Sequence, residues 1–294
     1  MIGEIIAIGD ELTSGRITNT TSGYAARELF LLGHEIRAMH TIGDAPDLIG
    51  KTLKAALDRS DFVLVTGGLG ATTDDLTNEA VIEALHLKTA VHPGVQANID
   101  NHLAQENCGE AVSLAKLARL PEGAEVLDSA YRMAGYLLRY HGKPIYFLPG
   151  VPPQMKILLH DKVLPGLQAF ASAPPIPVCQ QIYRTCGLRE IEINHRLLAL
   201  EQNRAIQLGY YPVGCEVDVS LTAKNLENGA GDPLFLEADA FIRQALGPAL
   251  YGLGDATLAA ATGQLLKSKG KRLGVAESCT GGLIASKITE IPGS

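Results

Sequence analysis

Phe62-Val63-Leu64-Val65 runs directly into Thr66-Gly67-Gly68-Leu69-Gly70-Ala71-Thr72-Thr73-Asp74-Asp75-Leu76-Thr77. A short apolar run that ends at glycines suits a buried strand of a parallel sheet, and the residues that follow suit a helix. The same order appears upstream. Ile2 to Ile8 is an apolar run rich in β-branched residues that stops at Gly9, and a helix is expected from Asn19 to Leu32. Its Tyr24, Ala25, Leu29 and Leu32 fall at helical spacing, and Gly33 is placed to end it. Ile36 to Ile42 then reads as a strand and Asp47 to Leu57 as a helix. Such βαβα order predicts an α/β fold, a mostly parallel sheet with helices on both faces, whose ligands gather at the carboxyl ends of the strands. The loops after Ile8 and Val65 therefore carry the most weight.

Downstream, Gly135 to Leu148 reads as two strands turning at His141 and Gly142, after which Pro149, Gly150, Val151, Pro152 and Pro153 break the pattern. A short helix is expected near Gln154 to His160. Pro174, Pro175 and Pro177 are stiff, cannot continue a helix and mark the best domain boundary. Beyond them, Ile182 to Cys186, a helix from Glu190 to Leu200 and the alternating run Cys215 to Thr222 describe a small α+β domain, with Asn228 to Pro233 as its loop or hairpin. Tyr251 to Asp255 reads as a Gly-rich joint. Leu258 to Lys269 should be helical, Leu273 to Ala276 a strand, and Gly281 and Gly282 should open another helix. The predicted domains are residues 1–170, 176–250 and 255–294, the last an incomplete α/β piece.

The 294 residues are 46% hydrophobic and 19% charged, enough apolar surface for a large core. Asp and Glu outnumber Lys and Arg by 32 to 25, a net charge of −7 that argues against general attraction to nucleic acid or acidic membranes. Cys108, Cys179, Cys186, Cys215 and Cys279 are scattered and never spaced C-x-x-C, so they read as free thiols in a reducing compartment. With no apolar run long enough to cross a bilayer, and no basic residue before Arg16, a cytoplasmic protein is expected. His34, His40, His86, His92 and His102 show no metal-ligand spacing and read as exposed or capping residues.

Chemistry concentrates at the predicted strand ends. Glycines at 67, 68 and 70 let backbone amides approach an anion such as a phosphate, and the hydroxyls of Thr72 and Thr73 add donors. Asp74 and Asp75 would repel a bare anion, so a phosphate ligand there calls for a divalent cation, for which carboxylates are hard oxygen ligands. Asp74 also suits a helix N-cap. Gly9-Asp10-Glu11-Leu12-Thr13-Ser14-Gly15 places two more carboxylates after the first strand, able to bind metal or orient a hydroxyl, or simply to form a solvated turn. Asp44 is a further acid at the same edge, and Pro149 with Gly150 gives a rigid turn that can wall a pocket.

Taken together, Gly9-Asp10-Glu11-Leu12, the run Gly67 to Thr77 and Leu148-Pro149-Gly150-Val151-Pro152 resemble the CinA family, whose first domain is similar to the MoaB/Mog domain of molybdopterin biosynthesis. The resemblance extends to Asn19, Arg27-Glu28-Leu29, Leu32-Gly33, Asp44 and Thr185 to Glu192, the last similar to a KH-like middle domain. It implies a metal-dependent hydrolase in the first, nucleotide-binding domain, splitting ADP-ribose into AMP and ribose 5-phosphate in pyridine nucleotide recycling. Asp44, Asp74 and Asp75 are then the expected catalytic and metal-holding acids. Gly9, Asp10, Glu11, Thr66, Gly67, Gly68, Leu69, Gly70, Thr72, Pro149 and Gly150 are the expected substrate-binding residues. A divalent cation is the expected cofactor and a small nucleotide the expected partner, in a homo-oligomer, with a dimer favoured. Ala71 departs from the family, which usually has proline there, and Asn19 to Ser22 is looser than its pattern.

Ala276 to Gly282 and Ile291 to Ser294 resemble the opening of the family's nicotinamide mononucleotide deamidase domain. The family's nucleophilic serine falls at or just past Ser294 and its base further on, so deamidation is not expected of this chain. The middle domain carries six basic and nine acidic residues between Ile176 and Leu250. It also lacks the G-x-x-G loop with which KH modules clamp nucleic acid, which favours a structural or dimer-forming use. Two rivals to hydrolysis are a molybdopterin-binding domain and a non-catalytic dimeric scaffold linked to competence.

Overall fold

The computed structural model describes residues 1–106, 114–128, 130, 134–171, 178–224, 226 and 228–294. The chain divides into two compact units, Met1–Ile176 and Pro177–Ser294. Pro174, Pro175 and Pro177, the expected boundary, lie outside the described residues, as does Cys108.

The first unit is built on a six-stranded sheet. Its strands are β1 (Ile2–Ile8), β2 (Glu35–Ile42), β3 (Phe62–Thr66), β6 (Glu125–Val126), β7 (Tyr136–Tyr140) and β8 (Lys143–Leu148), in the order β2-β1-β3-β8-β7-β6. The four strands from β2 to β8 run parallel, and β7 and β6 are antiparallel additions. Residues 5–8 of β1 and all of β3 are buried, as expected of strands covered on both sides, whereas β2 at the edge alternates between exposed and half-buried. A separate ribbon pairs β4 (Thr89–Val91) with β5 (Arg119–Pro121).

The helices before β5 include α1 (Asp10–Thr13), α2 (Thr20–Leu31), α3 (Pro46–Arg59), α4 (Thr77–Ala84) and α5 (Pro93–Glu106). One face of the sheet packs Ile6, Ile8, Val63 and Val65 against Leu53 and Leu57 of α3 and Val81 of α4. The other packs Ile5, Leu64 and Leu148 against Ala25 and Leu29 of α2 and against Met155, Leu159 and Leu167 from the chain after β8. Each such Leu or Ile contributes about 1.5–3 kcal/mol by leaving water. The expected short helix near Gln154 to His160 is longer than predicted: α6 (Pro152–Leu158) passes through a wide helical turn, Leu159–Val163, into α7 (Leu164–Phe170). Pro165 starts the last stretch without ending the helix, because its missing amide falls where the wide turn had already disturbed the hydrogen-bond ladder.

In the second unit an antiparallel sheet has the order β10-β11-β9-β12, from β9 (Cys179–Cys186), β10 (Ile206–Val213), β11 (Glu216–Ala223) and β12 (Leu250–Leu253). Its core joins Tyr183, Val219 and Leu221 to Ile193 and Leu197 of α8 (Glu190–Glu201) and to Phe235, Ile242 and Leu246 of α9 (Pro233–Leu246). Tyr251 to Asp255, read as a joint, instead begins within strand β12, which pairs with β9. The sequence reading passed over both β10 and α9. After helix α10 (Leu258–Ser268), Leu273 to Ala276 forms no strand, because no neighbouring strand supplies its hydrogen bonds, and α11 (Leu283–Thr289) follows Gly282. Among the described residues no helix is long and apolar enough to cross a membrane.

Candidate functional site

The carboxyl ends of β1, β2, β3 and β8 lie side by side, because Ile8 pairs with Ile42 and Thr66 with both Ala7 and Leu148. A cavity of about 540 Å³ opens over them. Fourteen residues were expected there by sequence, and twelve of them line it: Gly9, Glu11, Asp44, Thr66, Gly67, Gly68, Leu69, Gly70, Asp74, Asp75, Pro149 and Gly150. Asp10 and Thr72 do not line it.

Backbone geometry sets the loop after β3. Gly67 has φ +98°, and a Cβ there would sit 2.2 Å from the carbonyl oxygen of Ile8. Gly67 N donates to the Leu148 carbonyl at 3.1 Å, and the buried Thr77 hydroxyl donates to the Gly67 carbonyl at 3.0 Å. The loop thus closes against both neighbouring strands. The first amide of α4, Thr77 N, donates to the Gly68 carbonyl at 3.2 Å and is not free for an anion as a helix-start reading would have it. The amides of Gly68, Leu69 and Gly70 take no partner among the described residues, so these amides, and not the helix start, are open to an anion. Neither aspartate is the helix cap: Leu76 occupies that position without a side-chain bond. Asp75 Oδ2 instead accepts from Thr72 N at 3.0 Å and from the Thr72 hydroxyl, which engages that hydroxyl's proton within the loop.

Lys116, which the sequence reading missed, holds this loop from outside. Its Nζ donates to the carbonyl oxygens of Thr72, at 3.1 Å, and of Asp75, and lies 3.5 Å from Glu79 of α4. The opposite wall was missed as well. Ile17, Thr18, Asn19, Thr20 and Thr21 line the cavity, where Asn19 caps α2 by accepting from Ser22 N at 3.1 Å.

The acids differ in character. Burial pushes the Asp44 carboxyl up, the amide of Asp10 pulls it down, and the charges of Asp10, Glu11 and Asp74 raise it again, for a net rise above the ordinary carboxylate range. Asp74 is held below that range by Thr72 and by its own main chain, with Lys116 adding a smaller pull. Among the described residues no three His, Cys, Asp or Glu side chains gather as a metal site. One oxygen of Asp44 is taken by an amide and one of Asp75 by Thr72. The remaining oxygens fit a hard cation that shares its shell with substrate oxygens and water, and do not fit a cage made of protein alone.

His34 corrects the reading of the histidines. It is buried against the Phe62 ring, centroids 5.5 Å apart, and among the described residues neither ring nitrogen has a hydrogen-bond partner. Burial, with help from the N-terminal charge, lowers its pKa to about 4. His40 is likewise no capping residue: it lies 2.9 Å from the buried carboxylate of Glu4, which Arg59 also binds at 2.6 Å.

Comparison with known proteins bears on the whole chain. Residues 4–169 match a family model described as a probable molybdopterin binding domain, residues 180–252 the KH domain of the damage-inducible protein CinA, and residues 255–294 the CinA C-terminal domain. A CinA-like protein of Desulfotalea psychrophila is 49% identical over 291 residues, covering 99% of this chain and 70% of that protein. The chain belongs to the CinA family. A putative competence-damage inducible protein of Caldicellulosiruptor saccharolyticus is 32% identical over 296 residues, covering 100% of this chain and 71% of the relative. The crystal structure of a CinA of unknown function from Thermoplasma acidophilum matches with TM-score 0.52 and 28% identity, over 56% of this chain and 96% of that one. The CinA models thus cover residues 180–252 and 255–294, after the molybdopterin-binding-like segment 4–169.

Proposed function

We propose that the first unit hydrolyses a nucleoside diphosphate linkage with the help of a divalent cation, and that ADP-ribose, cut to AMP and ribose 5-phosphate, is its substrate. The observation that carries this reading is the meeting, in one cavity, of the free amides of Gly68, Leu69 and Gly70 with the carboxylates of Asp44, Asp74 and Asp75. Amides suit phosphate oxygens and carboxylates suit the cation that a diphosphate brings with it.

In this proposal the amides of the glycine turn hold the diphosphate and stabilise the charge that grows on its oxygens as the bond breaks. Asp74 and Asp75 hold the cation, which when bound neutralises the diphosphate and makes its phosphorus easier to attack. Asp44, the acid whose proton affinity is raised, takes the proton of the attacking water on Oδ1, the oxygen that Asp10 leaves open. Glu11 and the threonines at 18 and 20 face the sugar hydroxyls. The name of the family model over residues 4–169 supports a second reading, a site that binds molybdopterin without hydrolysis.

Product analysis decides between them. Purified chain is incubated with ADP-ribose, and separately with nicotinamide mononucleotide, with and without divalent metal. AMP formed only with metal supports the proposal. Saturable molybdopterin binding without AMP favours the second reading, and absence of nucleotide binding favours a scaffold.

A further inference from the structure

The geometry points to Lys116 as a positioning residue that holds the glycine turn and its acids in working shape from outside the cavity. This inference rests on the hydrolase reading of that cavity. The turn from Gly67 to Asp75 carries opposed demands. Its amides must stay open to a ligand, so its own hydrogen bonds cannot fix them. Among the described residues it is held at its two ends, by Gly67 on Leu148 and by Thr77 on Gly67 and Gly68, and by the local bonds between Thr72 and Asp75.

Lys116 supplies the missing restraint. It stands in a short turn, Lys116–Ala118, immediately before β5, more than forty residues from the loop in sequence. An ammonium group has three donors and no acceptor, and here it meets two carbonyls and one carboxylate: those of Thr72, Asp75 and Glu79. The two carbonyls bracket Thr73 and Asp74. Fixing both sets the direction in which Asp74 and Asp75 leave the backbone, while Glu79 ties the same group to the first turn of α4. Lys116 does not itself line the cavity, so it acts through the loop rather than on a ligand. Its side chain is only 20% exposed, and its bond to the Asp75 carbonyl is partly buried.

The test compares wild type, Lys116→Met and Lys116→Arg by hydrogen exchange across the chain and by steady-state hydrolysis of ADP-ribose with divalent metal. Methionine keeps most of the stem's bulk and removes the donors, whereas arginine keeps charge and donors. The expected result is faster exchange confined to residues 67–77 in Lys116→Met, with kcat down about tenfold to a hundredfold and KM changed far less, since small displacements of positioned groups cost that much. Lys116→Arg should restore both. Unchanged loop exchange in Lys116→Met overturns the inference, and so does faster exchange spread over the whole first unit, which would make the residue a general support of the fold. If wild type yields no AMP the hydrolase reading fails, while the exchange comparison still decides whether Lys116 holds the loop.

Discussion

Asp10 and Asp44 hold each other through their main chains: Asp10 N donates to Asp44 Oδ2 at 2.7 Å, and Asp44 N donates to Asp10 Oδ1 at 3.2 Å. Two like charges face one another, yet each carboxylate is met by the other residue's amide. The pair ties the loop after β1 to the loop after β2, and so fixes one side of the cavity. Asp10, which the sequence reading places among the substrate-binding residues, does not line the cavity and ties its two loops together.

Replacing Asp10 with Ala should lower turnover severalfold, by freeing the Asp44 amide and letting both loops move. Asp44→Asn keeps an acceptor oxygen for Asp10 N, so its thermal midpoint should stay near wild type while turnover falls further than in Asp10→Ala. Melting curves and ADP-ribose kinetics on both variants check this. Equal losses of stability in the two would show that Asp44 serves only to tie the loops.

Gly67→Ala should be among the most damaging single-methyl changes in the first unit. The new Cβ meets main chain rather than a yielding side chain, and φ +98° is hostile to it, so a loss of more than about 2 kcal/mol is expected. Gly15→Ala is the control. It too has positive φ, +72°, but nothing stands within 4 Å of its Cβ, and about 1 kcal/mol should suffice. Urea unfolding of the two variants measures the difference that the Ile8 carbonyl makes.

The parallel half of the first sheet was legible because Ile2 to Ile8 and Phe62 to Val65 are short, mostly apolar runs rich in β-branched residues that end at a glycine or just before one, as doubly covered strands require. Edge elements were harder. In β10, Gly209 and Pro212 interrupt the alternation, and only pairing with β11 makes a strand of it. Helix α9 did have a local signal, Asp232 accepting from Leu234 N with Pro233 at the first position, but it lay where a loop was being read. Leu273 to Ala276 shows the converse, since apolar composition without a partner strand makes none. At the site, Asp44 and the glycine turn could be found because strand ends predict where ligands sit. Lys116 could not, because its role exists only once a segment forty residues away has folded beside it.

Stability should depend on pH through His34. Its pKa is about 4 in the folded chain, against an ordinary 6.5 when unfolded. Below pH 6.5 the unfolded chain binds a proton that the folded chain refuses, so stability is complete above 6.5 and declines as pH falls toward 4. At 1.36 kcal/mol per unit of difference the full loss is up to about 3 kcal/mol. Glu4 acts in a lower window. Burial pushes its carboxyl up, but hydrogen bonds from Arg59 and His40 outweigh that and hold it below its ordinary 4.5, so its contribution persists until more acid conditions. Urea unfolding of His34→Phe between pH 7.5 and 5 should give a flatter profile than wild type, with equal or greater stability at pH 7.5, because two unpartnered ring nitrogens leave the core.

Asp75→Asn tests the cation directly. The amide preserves size and one acceptor oxygen for Thr72, so the loop should keep its shape while losing the charge that draws a metal ion. Divalent affinity, measured calorimetrically with AMP present, and turnover of ADP-ribose should then fall together, each by roughly tenfold to a hundredfold, the range seen when a metal's surroundings are disturbed. If only Asp74→Asn has this effect, the ligand is Asp74, whose carboxyl is already held ionised by its neighbours. If neither variant alters affinity or turnover, the acids serve the loop rather than a cation, and the proposed role of metal in this cavity falls with them.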